Sequence, residues 1–197
     1  MTPRVAKADQ SARTRAALVA AGRHLFGEHG YAGISAEEIA REAGVTTGAL
    51  YHQFRNKRDL FAAVFEAVEQ QLTLDLMAAP PASQDPLLQF AETGARFLLA
   101  SRDAALRRIV IVDALAVLGW EEWHATMLRY GLGITRSGLG ALMATGVIRT
   151  LPLDALAHLL LGALSEGAIL VAESRDPDAT QSEVSAALLG LLEGLRN

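Results

Sequence analysis

Residues 34–54 read ISAEEIAREAGVTTGALYHQF, and this stretch decides the fold of the N-terminal part of the chain. Ser35 and Glu38 stand in capping-box spacing, in which the serine hydroxyl accepts from the amide of Glu38 and the glutamate reaches back to the serine amide. Gly44 stands where the end of a helix favours a residue that tolerates positive φ. Thr46 is a good N-cap for a second helix. The stretch therefore predicts two short helices joined by one tight turn.

Two helices this short, joined by a turn that contains glycine, are typical of the helix-turn-helix. Ile39, Ala40 and Ala43 fall on one face of the first helix, and Leu50 points inward from the second. The pair is too small to bury a core alone, so it needs the helix before it. On periodicity alone, any small αα-hairpin fits these residues equally well.

The composition limits the classes of protein that fit this chain. Its 197 residues, 51% of them apolar, suffice for one or two domains with a sizeable core. The chain has no cysteine, which excludes disulfides and thiolate chemistry within it. Residues 1–10 are charged without an apolar segment and are predicted to form a flexible arm, not a signal peptide. The longest apolar run, 159–172, is interrupted by Ser165 and Glu166 and is too short for a bilayer. We therefore expect a soluble, cytoplasmic protein without membrane contact.

The net charge of −4 conceals an asymmetry along the chain. Residues 1–60 carry nine Lys and Arg against six Asp and Glu, whereas residues 61–197 carry nine against sixteen. A locally basic face attracts polyanions while an acidic remainder keeps the protein soluble. The basic excess is too small to establish nucleic-acid binding by itself.

The rest of the sequence predicts helices throughout, without a convincing strand, so we expect an all-α fold of nine helices. The clearest break is the segment 78–84, after which Asp85-Pro86 supplies an N-cap and a proline at the first helical position. Glycines at 131, 133, 138 and 140 indicate a bend or the close approach of another helix. Outside 34–54, the predicted helices are a first from about Ser11 to His29, a fourth capped by Asn56 and ending at Met77, a fifth ending near Ser101, a sixth at 104–118, a seventh at 120–144, an eighth from Leu153 to about Glu173, and a ninth with a capping box at Thr180 and Glu183.

Several motifs between Ser11 and Phe65 go beyond a generic helix pair: Gly30-Tyr31, Ile34-Ser35, Ile39-Ala40, 43–45, 47–51, Phe54, Asn56-Lys57 and Leu60. Together they resemble the N-terminal signature of TetR/AcrR-family transcriptional regulators, whereas the remainder resembles the family only in helix count and length. The resemblance implies a homodimer that places two recognition helices in successive major grooves of a palindromic double-stranded DNA operator. It implies an arm at 1–10, a DNA-binding domain at 11–56 with the helix-turn-helix at about 34–53, a connecting helix at 57–79, and an effector-binding and dimerisation domain at 80–197.

The resemblance also assigns DNA contacts. Carried over position by position, phosphate contacts fall on Ser35, Thr46, Tyr51 and Lys57, and contacts near base edges fall on Thr47, Gly48 and His52. Phosphate contacts set register, and base contacts set sequence preference. Because Thr47 and Gly48 are small, specificity is expected to depend on His52, Gln53, methyl contacts from Thr47 and DNA deformability.

Plainer roles stay open for some of these residues. Lys57 and Arg58 occupy the first turn of a helix, where cations oppose the helix dipole. A helix N-terminus with a lysine is a good phosphate site, but the two residues also fit an exposed basic pair without a role. Tyr51 also fits a packing role, and Thr46 fits a cap alone.

A small-molecule effector is the third implication, bound among the fifth to eighth helices and shifting the dimer between two states. It is expected to be apolar or aromatic, and the candidate contacts are Phe97, Asp113, Trp120, Trp123, Met127, Tyr130 and Glu166. Buried carboxylates are costly unless paired, so either acid fits a cationic or hydroxylated ligand. Alternatively, Asp113 pairs with Arg107, Arg108 or Arg129, Glu166 lies in the dimer interface, and the tryptophans only pack.

Dimerisation in the family uses the last two helices as half of a four-helix bundle, which fits the leucine-rich eighth and ninth helices here. The interface residues predicted in this way are Leu156, Leu160, Val184, Leu188, Leu191, Leu192 and Leu195.

These features predict a ligand-responsive transcriptional repressor that an effector releases from its operator. One alternative is a DNA-binding regulator without an effector, architectural or controlled by another protein. A remote alternative is a helical metalloenzyme, because Glu121 and His124 have the Glu-x-x-His spacing of di-iron helices. No second such pair, phosphate loop or nucleophile elbow occurs. We therefore expect no catalysis, cofactor or metal.

Overall fold

The computed structural model describes residues 3–197, with side chains from residue 8 onward. Within these residues the chain forms nine helices and one isolated antiparallel bridge, between Ile148 and Arg196, which confirms the predicted all-α fold. Two of the nine helices contain a π-helical segment, at Arg108–Asp113 and at Leu128–Leu132. The helices are α1 (Pro3–His29), α2 (Ala36–Glu42), α3 (Thr47–Gln53), α4 (Lys57–Ala78), α5 (Pro86–Ala100), α6 (Ala104–Arg107, Arg108–Asp113 and Ala114–Leu118), α7 (Trp120–Met127, Leu128–Leu132 and Gly133–Ala144), α8 (Leu153–Glu173) and α9 (Pro177–Glu193).

The first helix begins earlier than the sequence predicted, at Pro3 instead of near Ser11. Proline suits the first position of a helix, and residues 4–10 contain neither glycine nor proline to interrupt one. The arm predicted at 1–10 is therefore helical from Pro3 onward, and Met1 and Thr2 lie outside the described residues.

The last helix also begins earlier than predicted. Asp176 accepts from the amide of Ala179 at 3.1 Å and Pro177 follows as the first helical residue, so α9 starts there. The capping box predicted at Thr180 is wrong, because the Thr180 hydroxyl lies 2.7 Å from that of Ser174 instead. The arrangement repeats that at the start of α5, where Asp85 caps the helix before Pro86.

The chain divides into two compact units, and the division differs from the predicted domain boundaries. The first unit contains the chain up to Val68 together with Ala104–Trp123, and the second contains Glu69–Asp103 and His124–Asn197. The segment 104–123, predicted to belong to the effector domain, thus lies in the same unit as the helix-turn-helix and packs against α1. Close helix packing explains this, because a Cβ added at Gly27 would lie 2.7 Å from the Cβ of Ala105.

In the first unit, an aromatic cluster supports the helix-turn-helix. The Phe26 and Phe61 rings lie 5.2 Å apart, and Tyr31 lies 5.8 Å from Phe26 and 5.3 Å from Phe61, measured between centroids. Ile39 of α2 and Leu50 of α3 are fully buried. The two short helices are thus held by burial against their neighbours and not by their own propensity, since isolated helices this short are unstable.

The second unit has its own apolar core, formed by buried side chains of α5, α7, α8 and α9: Leu87, Leu139, Leu142, Ala157, Leu160 and Leu192, together with Ile148 of the loop before α8. Arg196 closes the C-terminus by ion pairs with Asp85 and Glu193. The pKa of both carboxyls is lowered, first because Arg196 donates a hydrogen bond to each.

Helix α8 is longer than the apolar run that the sequence displayed. It has 21 residues with a mean hydropathy of 1.8 in its most apolar window, so length and composition alone would allow it to cross a membrane. The run 159–172 is itself too short, as expected, but the helix that contains it reaches the necessary length. Within the protein, 33% of this window is buried.

The glycines of α7 divide into two kinds. A Cβ at Gly138 would lie 2.4 Å from the Phe90 ring, and one at Gly131 would lie 2.7 Å from Leu161, whereas one at Gly133 would meet nothing within 4 Å. The predicted close approach of another helix is confirmed at Gly131 and Gly138. At Gly133 no neighbouring atom is close enough to require a glycine.

Substitution by alanine should separate these positions. Gly133→Ala should stabilise the protein by about 0.5–1 kcal/mol through higher helix propensity. Gly138→Ala should destabilise it, because an overpacking cost of about 1–3 kcal/mol outweighs the same gain in propensity. Chemical denaturation of both variants at one protein concentration measures the difference, and equal stabilisation by both would contradict the packing at Gly138.

Candidate DNA-binding head and effector cavity

The predicted capping box of α2 is present and occupies the Ser35 side chain. The Ser35 amide donates to a carboxylate oxygen of Glu38 at 2.8 Å, and the Glu38 amide donates to the Ser35 hydroxyl at 3.2 Å. The hydroxyl also donates to the same carboxylate at 2.8 Å. These bonds lower the pKa of Glu38, chiefly the one from the Ser35 backbone amide. Since the single hydroxyl proton of Ser35 is already used, a phosphate contact would require the capping box to open.

Helix α3 presents one exposed face above a buried anchor. The Thr46 hydroxyl accepts from the Ala49 amide at 3.1 Å and starts the helix, while Leu50 is fully buried. Gly48, Tyr51 and His52 are exposed, and their spacing puts them on one side of the helix. The half-exposed Tyr51 ring does not serve as core packing, which was the plainer reading of this residue. Thr47 is partly buried.

Residues of α1 hold the C-terminal end of α3. The Gln53 amide donates to the Ser11 hydroxyl at 2.8 Å, and the Arg15 guanidinium lies 4.4 Å from the centroid of the Phe54 ring. Arg15 is exposed, so a cation stands beside the end of α3. The sequence showed Ser11 and Arg15 one turn apart on the same face of α1, but only tertiary packing places that face next to α3.

Lys57 is partly buried and holds the turn between α1 and α2. Its ammonium donates to the carbonyls of Tyr31 at 2.9 Å and of Ile34 at 2.7 Å. It also lies 4.2 Å from the centroid of the Tyr31 ring. Two of its three donors are therefore used within the protein, so Lys57 is a structural residue here rather than an exposed lysine without a role.

Asp113 lies in the first unit and is bonded to the same turn. One carboxylate oxygen accepts from the Tyr31 amide at 2.7 Å. Asp113 is not among the residues that line the cavity of the second unit, so the structure does not support its predicted contact with an effector. Burial of a carboxylate was the correct signal, but its partner is a backbone amide.

The tryptophans predicted to contact an effector pack elsewhere as well. Trp120 and Trp123 belong to the first unit, with ring centroids 5.3 Å apart, and the Trp123 indole donates to the Val110 carbonyl at 3.4 Å. Arg58 donates to the carbonyls of Val117 and Leu118, at 3.1 and 2.9 Å. Neither indole ring lines the cavity, and the C-terminal end of α6 is capped by Arg58 within the first unit.

The cavity lies in the second unit, among α4, α5, α7, α8 and α9. The space between these helices amounts to about 810 Å³ when the part that opens to solvent is included. Phe97 and Met127 line it, as predicted from the sequence, whereas Tyr130 and Glu166 are not among its lining residues. Glu166 is exposed on α8, which leaves open its alternative place at a dimer interface.

Two buried polar atoms in this cavity have no hydrogen-bond partner in the described part of the chain. They are Oε1 of Glu69 and the hydroxyl oxygen of Ser185. Glu69 is 4% exposed, and burial raises the pKa of its carboxyl to about 7. The sequence contained the signal, because Glu69 continues the apolar stripe of Phe65, Leu72 and Leu76 at helical spacing. An acid on the apolar face of a helix is a candidate site residue.

The predicted dimer residues face in different directions. Leu160 and Leu192 are buried in the core of the second unit, and Leu156, Leu188 and Leu195 pack against that core. Val184 packs on α8, where a Cβ added at Gly167 would lie 2.7 Å from it. Among the predicted residues, only Leu191 is largely exposed, at 64%. Leu159 and Leu170 of α8, which the sequence did not single out, are exposed at 73% and 51%.

Glu69 should make the stability of the protein depend on pH. Its ordinary pKa of 4.5 applies in the unfolded chain and a value of about 7 in the folded one, so the folded state binds the proton more strongly. The stabilisation is complete below about pH 4.5 and is lost as pH rises through about 7. The loss amounts to about 3 kcal/mol.

Denaturation of the wild type and Glu69→Gln across this range measures the effect. Glu69→Gln should remove the decline, because glutamine does not titrate, while Ser185→Ala in the same cavity should keep it. Among the described lining residues no other side chain titrates, and Glu66 and Asp75 are the neighbouring acids along α4. An identical pH dependence in the wild type and Glu69→Gln would refute the assignment.

Comparison with known proteins identifies the family. Residues 87–195 match the family described as tetracyclin repressor-like, C-terminal domain, and residues 18–64 match the bacterial regulatory proteins of the tetR family. The Transposon Tn10 TetC protein of Escherichia coli is 26% identical over 93% of both chains. The HTH-type transcriptional regulator CymR of Pseudomonas putida is 32% identical over 76% of this chain and 75% of its own.

Solved structures agree. A TetR-family transcriptional regulator from Pectobacterium atrosepticum is 33% identical, covers 100% of this chain and 98% of its own, and superposes with a TM-score of 0.85. RolR in complex with the ligand resorcinol shares the fold, with a TM-score of 0.75 at 23% identity over 93% of this chain and 89% of its own. Family models over both the N-terminal motif and more than half of the chain leave no other assignment. The chain belongs to the TetR family of bacterial transcriptional regulators, soluble proteins that are not enzymes, bind operator DNA as dimers and respond to small-molecule ligands.

Proposed function

We propose that this regulator is a cytoplasmic repressor whose homodimer reads a palindromic operator with α3 and is released when an effector enters the cavity of the second unit. The observation that carries the proposal is the exposed face of α3, with Gly48, Tyr51 and His52 standing over the fully buried Leu50. A face of this kind, held from behind by a packed core, is what insertion into a major groove requires.

The residues proposed for phosphate contacts differ in their exposure and in how many of their hydrogen-bond donors are already used within the protein. Tyr51 and Arg15 are exposed, and the Arg15 guanidinium is already oriented by the Phe54 ring. The Thr46 hydroxyl accepts one hydrogen bond, from the Ala49 amide, and this cap does not use the hydroxyl proton, which can donate to a phosphate. Lys57 has one remaining donor, so its contribution to DNA binding combines a structural and an electrostatic part.

Sequence recognition is proposed for Thr47, Gly48 and His52. Gly48 permits close approach of the helix to a base edge, and Thr47 offers a methyl group. Only His52 carries a ring nitrogen that can donate to or accept from a base. We therefore propose that operator choice also depends on DNA shape and deformability.

The alternative of a regulator without an effector is less favoured. A purely architectural protein has no need of a cavity whose lining residues include two buried polar atoms without hydrogen-bond partners in the described part of the chain. Filling it with apolar side chains would stabilise the fold at no cost to DNA binding. The presence of this cavity therefore supports a role in binding a ligand.

The experiment that tests DNA binding is an electrophoretic mobility shift with duplexes from the region upstream of the protein's own gene, against random duplexes at low and moderate salt. Preferential retardation of one palindromic duplex is expected. Absence of any retardation at low salt would exclude the proposed function.

Two substitutions should weaken binding in different ways. His52→Ala should lower affinity for the operator by about 1–3 kcal/mol while leaving random DNA nearly unaffected, because it removes a base contact. Lys57→Ala should lower both affinities in equal proportion, and the log–log salt slope should fall by about 1 per half-site if its free donor contacts a phosphate. Titrations at several salt concentrations measure both, and thermal unfolding controls for the loss of the Tyr31 turn. A specificity loss in Lys57→Ala, or equal losses on both DNAs in His52→Ala, would reverse the assignment.

We propose that the dimer forms through the exposed faces of α8 and α9, as half of a four-helix bundle. Leu159, Leu170 and Leu191 are the large apolar side chains on these faces. Small exposed residues on the same helices, among them Gly162 and Gly190, would let a partner approach closely. The proposed interface therefore keeps the two predicted helices but replaces the buried Leu160 and Leu192 with their exposed neighbours.

The Leu191→Glu variant should be monomeric at micromolar concentration, because it places a charge in the apolar centre of this interface. Leu74→Glu is the matched control, since Leu74 is exposed to a similar degree, at 53%, but lies on α4. Light scattering of both variants and the wild type decides the matter. A dimeric Leu191→Glu together with a monomeric Leu74→Glu would move the interface away from α9.

A further inference from the structure

We propose that the cavity selects an apolar amine whose ammonium group binds at Glu69 and Ser185. This inference rests on the proposed function of the cavity as the effector site, and it names the chemical class of the effector.

The two atoms without partners set the first requirement on the ligand. Oε1 of Glu69 and the hydroxyl oxygen of Ser185 are both buried in the cavity wall and both accept hydrogen bonds. Buried acceptors without donors are costly, so a ligand that supplies donors gains affinity there. An ammonium group has three donors, which is enough for both.

Two of the three threonines in the wall, Thr93 and Thr135, do not compete for this role, and Thr73 is the third. The Thr93 hydroxyl donates to the Gln89 carbonyl at 3.2 Å, and the Thr135 hydroxyl donates to the Gly131 carbonyl at 3.0 Å. Both hydroxyl protons are thus used within their own helices. The polar end of a ligand is directed to Glu69 and Ser185, and the remaining wall is mostly apolar, with Phe90 and Phe97 supplying aromatic surface.

Charge sets the second requirement. Among the described residues that line the cavity, Glu69 is the sole ionisable side chain, and no Lys, Arg or His accompanies it. An anionic ligand would enter an apolar space without a counter-charge and beside an acid. A cation meets a carboxylate that lacks a partner of its own, and each compensates the cost of burying the other.

The ionisation state of Glu69 makes this pairing possible near neutral pH. Because burial raises the pKa of its carboxyl to about 7, a modest stabilisation by an entering cation suffices to keep it ionised. A neutral alcohol gives no such stabilisation and leaves the acid protonated at lower pH. The cavity should therefore distinguish an amine from an alcohol of the same shape.

The test compares phenylbutylamine, phenylbutanol and phenylbutanoate, which share one apolar body and differ in the polar end. Isothermal titration calorimetry with the full-length protein at about pH 7.5 should show the amine binding about tenfold or more tightly than the alcohol, the difference between charged and neutral hydrogen bonds. The carboxylate should bind weakest. Equal affinity of amine and alcohol, preference for the carboxylate, or no binding by the amine would overturn the inference.

A pH series with phenylbutylamine isolates Glu69, because a primary ammonium with a pKa of about 10, like that of lysine, stays charged throughout the range measured. With the pKa of Glu69 at about 7, affinity should be roughly 30-fold weaker at about pH 5.5 than at about pH 8. Glu69→Gln should remove this dependence and bring phenylbutylamine to the affinity of the alcohol. Ser185→Ala should keep the pH dependence, and a pH-independent wild type would contradict the role of Glu69.

The position of the bound amine and its effect on DNA binding are tested by separate experiments. Ser185→Leu fills part of the cavity while leaving Glu69 in place, so it should abolish amine binding; undiminished binding would place the amine elsewhere and refute the inference. Release of the wild-type protein from operator DNA by each compound distinguishes failure of the amine preference from failure of the proposed function. If alcohol and amine release DNA with equal potency and Glu69→Gln changes neither, the effector site stands and the preference for amines fails. If operator binding itself is absent, the proposed function fails.

Discussion

The backbone of a single residue, Tyr31, holds the DNA-binding head together. Its carbonyl accepts from the Lys57 ammonium, and its amide donates to the Asp113 carboxylate, at 2.9 and 2.7 Å. Lys57 begins α4 and Asp113 belongs to α6, so charged groups from two helices fix one turn between α1 and α2. Hydrogen bonds with a charged partner are stronger than neutral ones, and here they satisfy backbone groups that no helix pairs. The direction in which α2 and α3 leave α1 follows from this turn.

Gly30 makes the same turn possible. Its φ of 76° is one that other residues adopt only with strain, and the chain can therefore leave α1 directly into the bonded Tyr31. A side chain at Gly30 would also approach the Asp113 carboxylate and the Arg108 guanidinium, each within 4 Å of an added Cβ. The glycine, the lysine and the aspartate thus act as one unit, although they are far apart in the sequence.

The sequence predicted what local rules control. The capping box at Ser35, glycines at helix ends and apolar periodicity indicated the nine helices, and the motifs from Gly30 to Leu60 identified the family. The spacing of residues along the chain does not show which group a carboxylate will bond to. Asp113 was therefore expected in an effector site, whereas in the structure it is bonded to Tyr31. The π-helical segment at Arg108–Asp113 contributed to this error, because it shifts the faces that a period of 3.6 residues assigns. Likewise, apolar leucines on α8 and α9 predicted an interface, but periodicity alone did not separate the buried Leu192 from the exposed Leu191.

Glu69 is the opposite case. Its position on the apolar face of α4 was visible in the sequence, and the free-energy cost of burying a carboxyl there points to a function. A leucine at this position would continue the apolar stripe of α4 and remove a buried acceptor, so stability alone favours its replacement. The group has no ion-pair partner that shifts its pKa, because burial alone accounts for the rise. Lys57 and Asp113, which have structural roles in the first unit, are hydrogen-bonded to backbone groups, whereas Oε1 of Glu69 has no partner among the described residues. A carboxyl that destabilises the empty protein and faces a cavity is therefore best understood through a ligand that supplies the missing charge and donors.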